Sequence, residues 1–346
     1  ILKRILIVTK HFKNHESGGG AQKSIELLVS KLRERFHIEV LCKSTKNSGE
    51  WVHKLSFSFF KKIKSFDIIY LNSFFSPLTI LFLCFNKVKI ISPKGELFDG
   101  ALKSKTLKKQ IWLKIFNTLF KGKFIFHATS LDEKKSIEKK TYPKRIIIAP
   151  DIIELNLSKE KPSENKTLKV VHISRIDQKK NLLFCINILS KVKRQICFDI
   201  YGDIGDKKYF DKCMSGLRKL PANINWNYLG QLKPNQVNNT FLGYDLFFFP
   251  TLGENFGYVI LESLSNYCSL LLSKGTTIFD DLDKYSIGSN LKLNEKPIEW
   301  VNYIENFNST KGDKDLLKFK NYLYNKFDVS KIIQLNNNLI NEVLKQ

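Results

Sequence analysis

Two carboxylates, Glu254 and Glu262, stand with seven residues between them where the chain changes character. Upstream, residues 245–250 run from Asp245 through Leu246 and three phenylalanines to Pro250, a short apolar run that suits a buried strand of a parallel sheet. Residues 251–257 read as a loop, and the apolar spacing of residues 258–264 fits the opening of a helix. In open α/β sheets ligands bind beyond the carboxyl ends of the strands, so this turn lies where a substrate would be. Glu254 falls in the loop and Glu262 about two turns further on, so the pair can touch different parts of one extended ligand. The backbone amides of Asn255, Phe256 and Gly257, at the helix N-terminus, suit an anion or hydroxyl groups, and Gly257 lets the main chain come close. Spacing alone says little, and taken by itself it is explained by a helix cap at Glu254 and a solvated Glu262.

A second segment carries cations. Residues 169–183 read as an apolar strand, a short basic loop and a helix whose apolar face holds Leu182, Leu183, Ile186 and Leu189. Arg175 and Lys180 flank the loop with four residues between them. Arginine offers a planar donor fork and lysine a mobile point charge, a combination that suits a diphosphate. Near the start, residues 3–10 form a good first strand and residues 17–28 a glycine-rich turn opening a helix, with Gly19 and Gly20 at the turn. No Gly-Lys-Ser/Thr follows as in a Walker loop, and the glycine spacing is not that of a dinucleotide fingerprint.

Taken together, these elements resemble the retaining glycosyltransferases of the GT-B fold, most closely glycosyltransferase family 4, over nearly the whole chain. The resemblance implies that Glu254 contacts the donor sugar's hydroxyls and Glu262 the nucleotide ribose. It implies that Arg175 and Lys180 hold the donor diphosphate and stabilise the leaving group, and that Gly19 and Gly20 let the first helix approach the donor phosphates across an interdomain cleft. It also implies same-face substitution, in which the donor's phosphate oxygen takes the acceptor proton and no side-chain base is required. Residues 92–97 and 126–130, with Asp132 and Glu133, resemble capsule and O-antigen members. The chain departs from the pattern where many members carry an acceptor-side histidine; Lys94 stands there and becomes a candidate site residue, with His127 as a second. The small-residue turn after the two-glutamate helix is replaced by Asn266, Tyr267 and Cys268.

The implied architecture is α/β, two Rossmann-like domains facing across a cleft: residues 1–165 binding the acceptor, 166–327 binding the nucleotide-sugar donor, and a helix in 328–346 returning to the first. A chain of 346 residues has room for two such cores. Residues 1–150 hold 30 basic against 11 acidic residues, net +19, whereas the remainder has 27 against 22, net +5. A basic N-terminal domain suits a lipid-linked glycan acceptor on an anionic membrane. Within it, Leu107, Ile111, Trp112, Ile115, Phe116, Leu119 and Phe120 make one apolar helical stripe bordered by lysines, fit either for a membrane interface or for the domain core. No apolar run approaches the roughly 20 residues of a membrane span, so attachment is expected to be peripheral.

Six cysteines without paired spacing point to a reducing, cytoplasmic setting and against a zinc site or disulfide framework. The first residue is Ile1 and the only methionine is Met214, so the true start is expected to lie upstream or to have been removed, and the residues present show no signal peptide. Asp280, Asp281 and Asp283, and more loosely Asp203 and Asp206, could face a cation but sit among turn residues; neither metal nor cofactor is expected. No nucleic-acid-binding motif accompanies the lysines, and no nucleic-acid partner is expected. A sugar-nucleotide epimerase or a silent binding subunit would share the fold.

Overall fold

The structure is a computed structural model that describes residues 2–12, 19–44, 52–102, 106–160, 167–308 and 312–345. The chain divides into two compact units, Ile1–Glu154 with Asp328–Gln346, and Leu155–Phe327. The division falls after Glu154 rather than at 165 because the segment that follows is tied to the second unit. The Ser158 amide donates to the Ser265 carbonyl at 2.8 Å, and the Tyr267 hydroxyl donates to the Ser158 carbonyl at 2.9 Å.

The first unit is built on a seven-stranded parallel sheet, β1 (Arg4–His11), β2 (His37–Ser44), β3 (Val52–His53), β4 (Ile68–Asn72), β5 (Val88–Ser92), β6 (Ile125–Ala128) and β7 (Arg145–Ile148), in the order β3-β2-β1-β4-β5-β6-β7. The second holds six parallel strands, β8 (Leu168–Ile173), β9 (Ile196–Tyr201), β10 (Ile224–Tyr228), β11 (Leu246–Phe249), β12 (Ser269–Ser273) and β13 (Gly288–Leu291), in the order β10-β9-β8-β11-β12-β13. Both orders reverse direction beside their first strand, the topology of a doubly wound sheet. Helices covering both faces explain why central strands read as unbroken apolar runs: every residue of β11 is buried, and Ile5, Leu6 and Ile7 of β1 have no exposed surface.

Each unit has its own core. In the first, Phe74, Phe82, Phe116 and Phe126 fill the space between sheet and helices. In the second, Trp300 is fully buried, and its ring meets Phe184 edge-on at 4.9 Å and Phe248 at 5.8 Å. Helix Val329–Leu344 belongs to the first unit, where Asn336 donates to the Pro150 carbonyl at 2.9 Å and Glu342 pairs with Arg145.

The turn after helix Tyr258–Ser265 shows how this chain manages without glycine. Tyr267 takes a left-handed backbone, φ 60°, its amide bonding the Leu264 carbonyl at 3.2 Å and the Cys268 amide the Ser263 carbonyl at 3.1 Å. This is a Schellman closure, in which a side chain at the left-handed position costs about 1 kcal/mol. The hydrogen bond to Ser158 and the edge contact with Phe319 at 5.9 Å offset that cost.

Trp300→Ala is expected to lower the stability of the second unit by about 3–5 kcal/mol, read from the urea midpoint followed by circular dichroism.

Candidate functional site

β8 and β11 are hydrogen-bonded neighbours running the same way, with Val170 opposite Leu246 and Val171 opposite Phe247. Loops leaving their carboxyl ends therefore emerge side by side. The loop after β8 carries Arg175 and Lys180, and the loop after β11 carries Glu254. Their meeting is direct: the Lys180 ammonium donates to Glu254 Oε1 at 2.6 Å, with the two side chains 19% and 11% exposed.

Local chemistry fixes both partners. Asp177 caps the short 3-10 turn Gln178–Lys180, accepting from the Lys180 amide at 3.2 Å, while Asn181 takes a left-handed backbone and donates to the Pro250 carbonyl at 2.9 Å. On the other loop, Thr251 Oγ1 donates to Glu254 Oε1 at 3.0 Å and the Glu254 amide donates to the Thr276 carbonyl at 2.8 Å. The Leu252 amide donates to the Lys179 carbonyl at 2.8 Å, which knits the loops together. Arg175 lies further out, 64% exposed, with its guanidinium paired to Asp177 at 2.6 Å.

A third loop braces Arg175. Gly202, φ 151°, lies so close that a Cβ there would stand 1.6 Å from the Ser174 carbonyl oxygen, and a Cβ at Gly205 would meet the Arg175 stem at 2.8 Å. Asp203 and Asp206 flank this contact; the Ile176 amide donates to the Asp203 carbonyl at 2.8 Å and the Asp206 carboxylate caps helix Lys207–Leu217. Asp280, Asp281 and Asp283 are likewise engaged: with the Gly275 amide, with Tyr322 and Lys326, and with the Asn290 amide. Among the described residues, no group of three or more His, Cys, Asp or Glu could hold a metal ion.

Gly257 caps helix Tyr258–Ser265 with φ 84°, and a Cβ there would crowd Ile260 at 2.9 Å, so the turn itself demands glycine. The Phe256 ring is buried against Tyr258, Phe279 and Phe327, leaving its main chain as the part a ligand can meet. Asn255 is half-buried beside it. Glu262 is half-buried at the fifth helical position, just over one turn from the helix start rather than two.

His172, on β8 two residues before the loop, was not singled out in the sequence. It is fully buried, donates from Nδ1 to the Phe248 carbonyl at 2.9 Å and accepts at Nε2 from Ser174 Oγ at 2.8 Å. Burial pushes its pKa down to about 4. Asp177 and Thr251 were missed too; an aspartate three residues before Lys180 is a capping signal that could have found the first.

In the first unit Gly19 caps helix Gly20–Leu32, its carbonyl accepting from the Gln22 amide at 2.9 Å. A Cβ at Gly19 would meet nothing within 4 Å, so the fold does not require glycine there. Residues 17 and 18 of the glycine-rich turn lie outside the described residues. Lys94 follows β5 with φ 51°, and its ammonium is buried against the Asp151 carboxylate, with Ser24 Oγ at 3.2 Å. Ser24 also donates to Asp151 at 2.7 Å. Burial works against both charges, yet Asp151 holds the Lys94 pKa above its ordinary value and Lys94 holds that of Asp151 below. Lys94 thereby ties the β5 loop to the first helix and to the segment after β7. His127 lies within β6, fully enclosed, accepting at Nδ1 from the Tyr70 hydroxyl at 2.6 Å and donating from Nε2 to the Ala149 carbonyl at 2.7 Å. Burial and the Lys94 charge press its pKa down to about 4.

Lys94→Met, which strands Asp151, is expected to cost the first unit about 3–5 kcal/mol in urea unfolding, and adding Asp151→Asn to recover much of it. Gly202→Ala is expected to lower the melting temperature and weaken any ligand that engages Arg175, because backbone rather than a side chain must give way. The unfolded chain binds protons at histidine near pH 6.5 but the fold binds them at His172 only near 4, so stability is full above pH 6.5 and falls as pH drops toward 4. Thermal melts across that window should fall less steeply for His172→Asn.

Residues 154–323 match the family model of glycosyl transferases group 1. No curated protein matches the chain in sequence. Among solved structures, HepE of Anabaena, in complex with UDP and glucose, aligns with TM-score 0.76 at 16% identity over 98% of this chain and all of that one. Sucrose-phosphate synthase of Thermosynechococcus elongatus aligns with TM-score 0.74 at 13% identity over 99% of both chains. WaaG, a glycosyltransferase involved in lipopolysaccharide biosynthesis, aligns with TM-score 0.69 at 11% identity over 95% of this chain and 97% of that one. The chain has the GT-B fold, and its second unit, with the Lys180–Glu254 pair at the reversal of its strand order, is the part that matches glycosyl transferases group 1.

Proposed function

We propose that this protein is a retaining glycosyltransferase of family 4 type. It would move a hexosyl unit from a nucleotide diphosphate sugar, a UDP-sugar, to a lipid-linked surface glycan of capsule or O-antigen kind. The observation that carries the reading is the Lys180–Glu254 contact at 2.6 Å, set between loops from adjacent parallel strands. A carboxylate and a cation held there match the two ends of a sugar diphosphate: hydroxyls for Glu254, leaving-group charge for Lys180 and Arg175. The Anabaena structure, solved with UDP-glucose as well, supports the choice of uridine.

In the proposed reaction the acceptor oxygen bonds the anomeric carbon on the face from which the diphosphate departs. The bond from that carbon to the phosphate oxygen breaks, and the acceptor proton passes to the departing phosphate. Arg175 and Lys180 stabilise the charge that develops there, the task a metal ion performs in other enzymes. Glu254 orients the sugar while the amides of Asn255, Phe256 and Gly257 meet its hydroxyls, and Glu262 holds the ribose. Gly19 and Gly20 leave space for a phosphate at the first helix, and Lys94 shapes the acceptor side through Asp151. The protein would act on the inner face of the plasma membrane, where the +19 of residues 1–150 favours an anionic surface.

Glu254→Gln and Lys180→Ala are each expected to fold and to lose at least about a hundredfold in transfer. Stabilisation of the wild type by a UDP-sugar should survive EDTA in a thermal-shift panel of UDP, GDP and ADP sugars. Wild-type turnover in either variant, or no response to any nucleotide sugar, would sink the assignment.

A further inference from the structure

Helix Thr106–Leu119 of the first unit is apolar on two sides, not one. Phe116, 1% exposed, packs edge-on against Phe74 at 4.8 Å, and Trp112 donates from its indole to the Phe74 carbonyl at 3.3 Å, so this side is anchored in the core. Leu107, Ile111, Ile115 and Leu119 follow one another at four-residue intervals on the other side and are 70%, 51%, 43% and 55% exposed. The outward side of a surface helix is ordinarily polar. Here the four-residue spacing lines up an apolar ridge about 18 Å long.

The surroundings say what covers it. Residues 100–131 contain seven lysines and neither aspartate nor glutamate. Lys108 and Lys114 are exposed beside the ridge. At its end the Lys121 ammonium lies 4.9 Å over the ring of Tyr142, itself 55% exposed, and the Gly122 amide donates to the Tyr142 carbonyl at 2.8 Å. An apolar ridge with lysines and a half-exposed tyrosine at its margin matches the boundary between lipid headgroups and acyl chains, where lysine stems stretch toward phosphates and tyrosine sits at headgroup level. A second copy fits poorly, because a self-complementary contact sets lysine against lysine. Among the described residues no helix is long and apolar enough to cross a membrane.

We propose that this face docks the protein on an anionic membrane, with the helix lying in the plane of the interface and the four apolar side chains inserted. The inference deepens the reading of a lipid-linked acceptor, but its test needs neither donor nor acceptor. Flotation with vesicles of phosphatidylcholine alone, and of phosphatidylcholine and phosphatidylglycerol in equal amounts, should show binding only to the second. Ile111→Ser with Ile115→Ser, and separately Lys108→Gln with Lys114→Gln and Lys121→Gln, should each weaken that binding by about tenfold or more. Melting temperatures and UDP-induced stabilisation should stay as in the wild type, since all five positions are exposed. Wild-type flotation by the serine pair overturns the proposal, as does equal or absent binding of the wild type to the two vesicles, or a dimer that the serine pair converts to monomer. If UDP stabilises none of the proteins while flotation behaves as expected, the donor reading fails and the docking surface stands.

Discussion

The parallel pairing of β8 with β11 is the constraint on which the candidate site depends. Parallel neighbours end on the same edge of a sheet, and where strand order reverses, no crossover helix fills the space between the two loops. Two segments more than seventy residues apart in sequence therefore deliver a cation and a carboxylate to one point. The supporting bonds all serve that meeting: Asp177 and Asn181 hold the Lys180 turn, Thr251 and Thr276 hold Glu254, and Gly202 holds the backbone ahead of Arg175. The ion pair stays partly open to solvent, with the Lys180 side chain 19% and the Glu254 side chain 11% exposed.

Lys94 and Lys180 show how burial separates two lysines at comparable places in their sheets. Each follows the carboxyl end of a strand and each pairs with a carboxylate. Lys94 is 9% exposed against an Asp151 that is 3% exposed, and Ser24 occupies another of its donor positions. Such a pair costs much to desolvate and more to break, so it acts as a fixed tie between elements. Lys180, at 19% exposure, is about twice as open to solvent as Lys94. His127 and His172 extend the contrast: both are neutral hydrogen-bonding struts, one within β6 and one leading into the site loop.

Charge and hydropathy divide the labour between the units. The second, residues 155–327, holds 25 basic against 18 acidic residues, and the charges of its candidate site are individually held. The first carries the excess of lysine and the exposed ridge of helix Thr106–Leu119. What reads in sequence as one apolar stripe is two: Trp112 and Phe116 fill the core, whereas Leu107, Ile111, Ile115 and Leu119 stay outside.

The α/β class and the strands and turns around residues 175–180 and 250–258 were legible in the chain alone, because buried parallel strands are continuous apolar runs and turn residues punctuate them. It could not determine that Lys180 touches Glu254, since that contact follows from which strands become neighbours. Nor could it tell an anchored lysine from an accessible one, place Asp151 and Ser24 beside Lys94, or reveal that Gly202 is demanded by a carbonyl 28 positions away. Helical periodicity records that a side chain is apolar but not which neighbour covers it. Burial, and with it the pKa values of His127 and His172 and the exposure of the lysine-bordered ridge, was decided only when distant segments packed together.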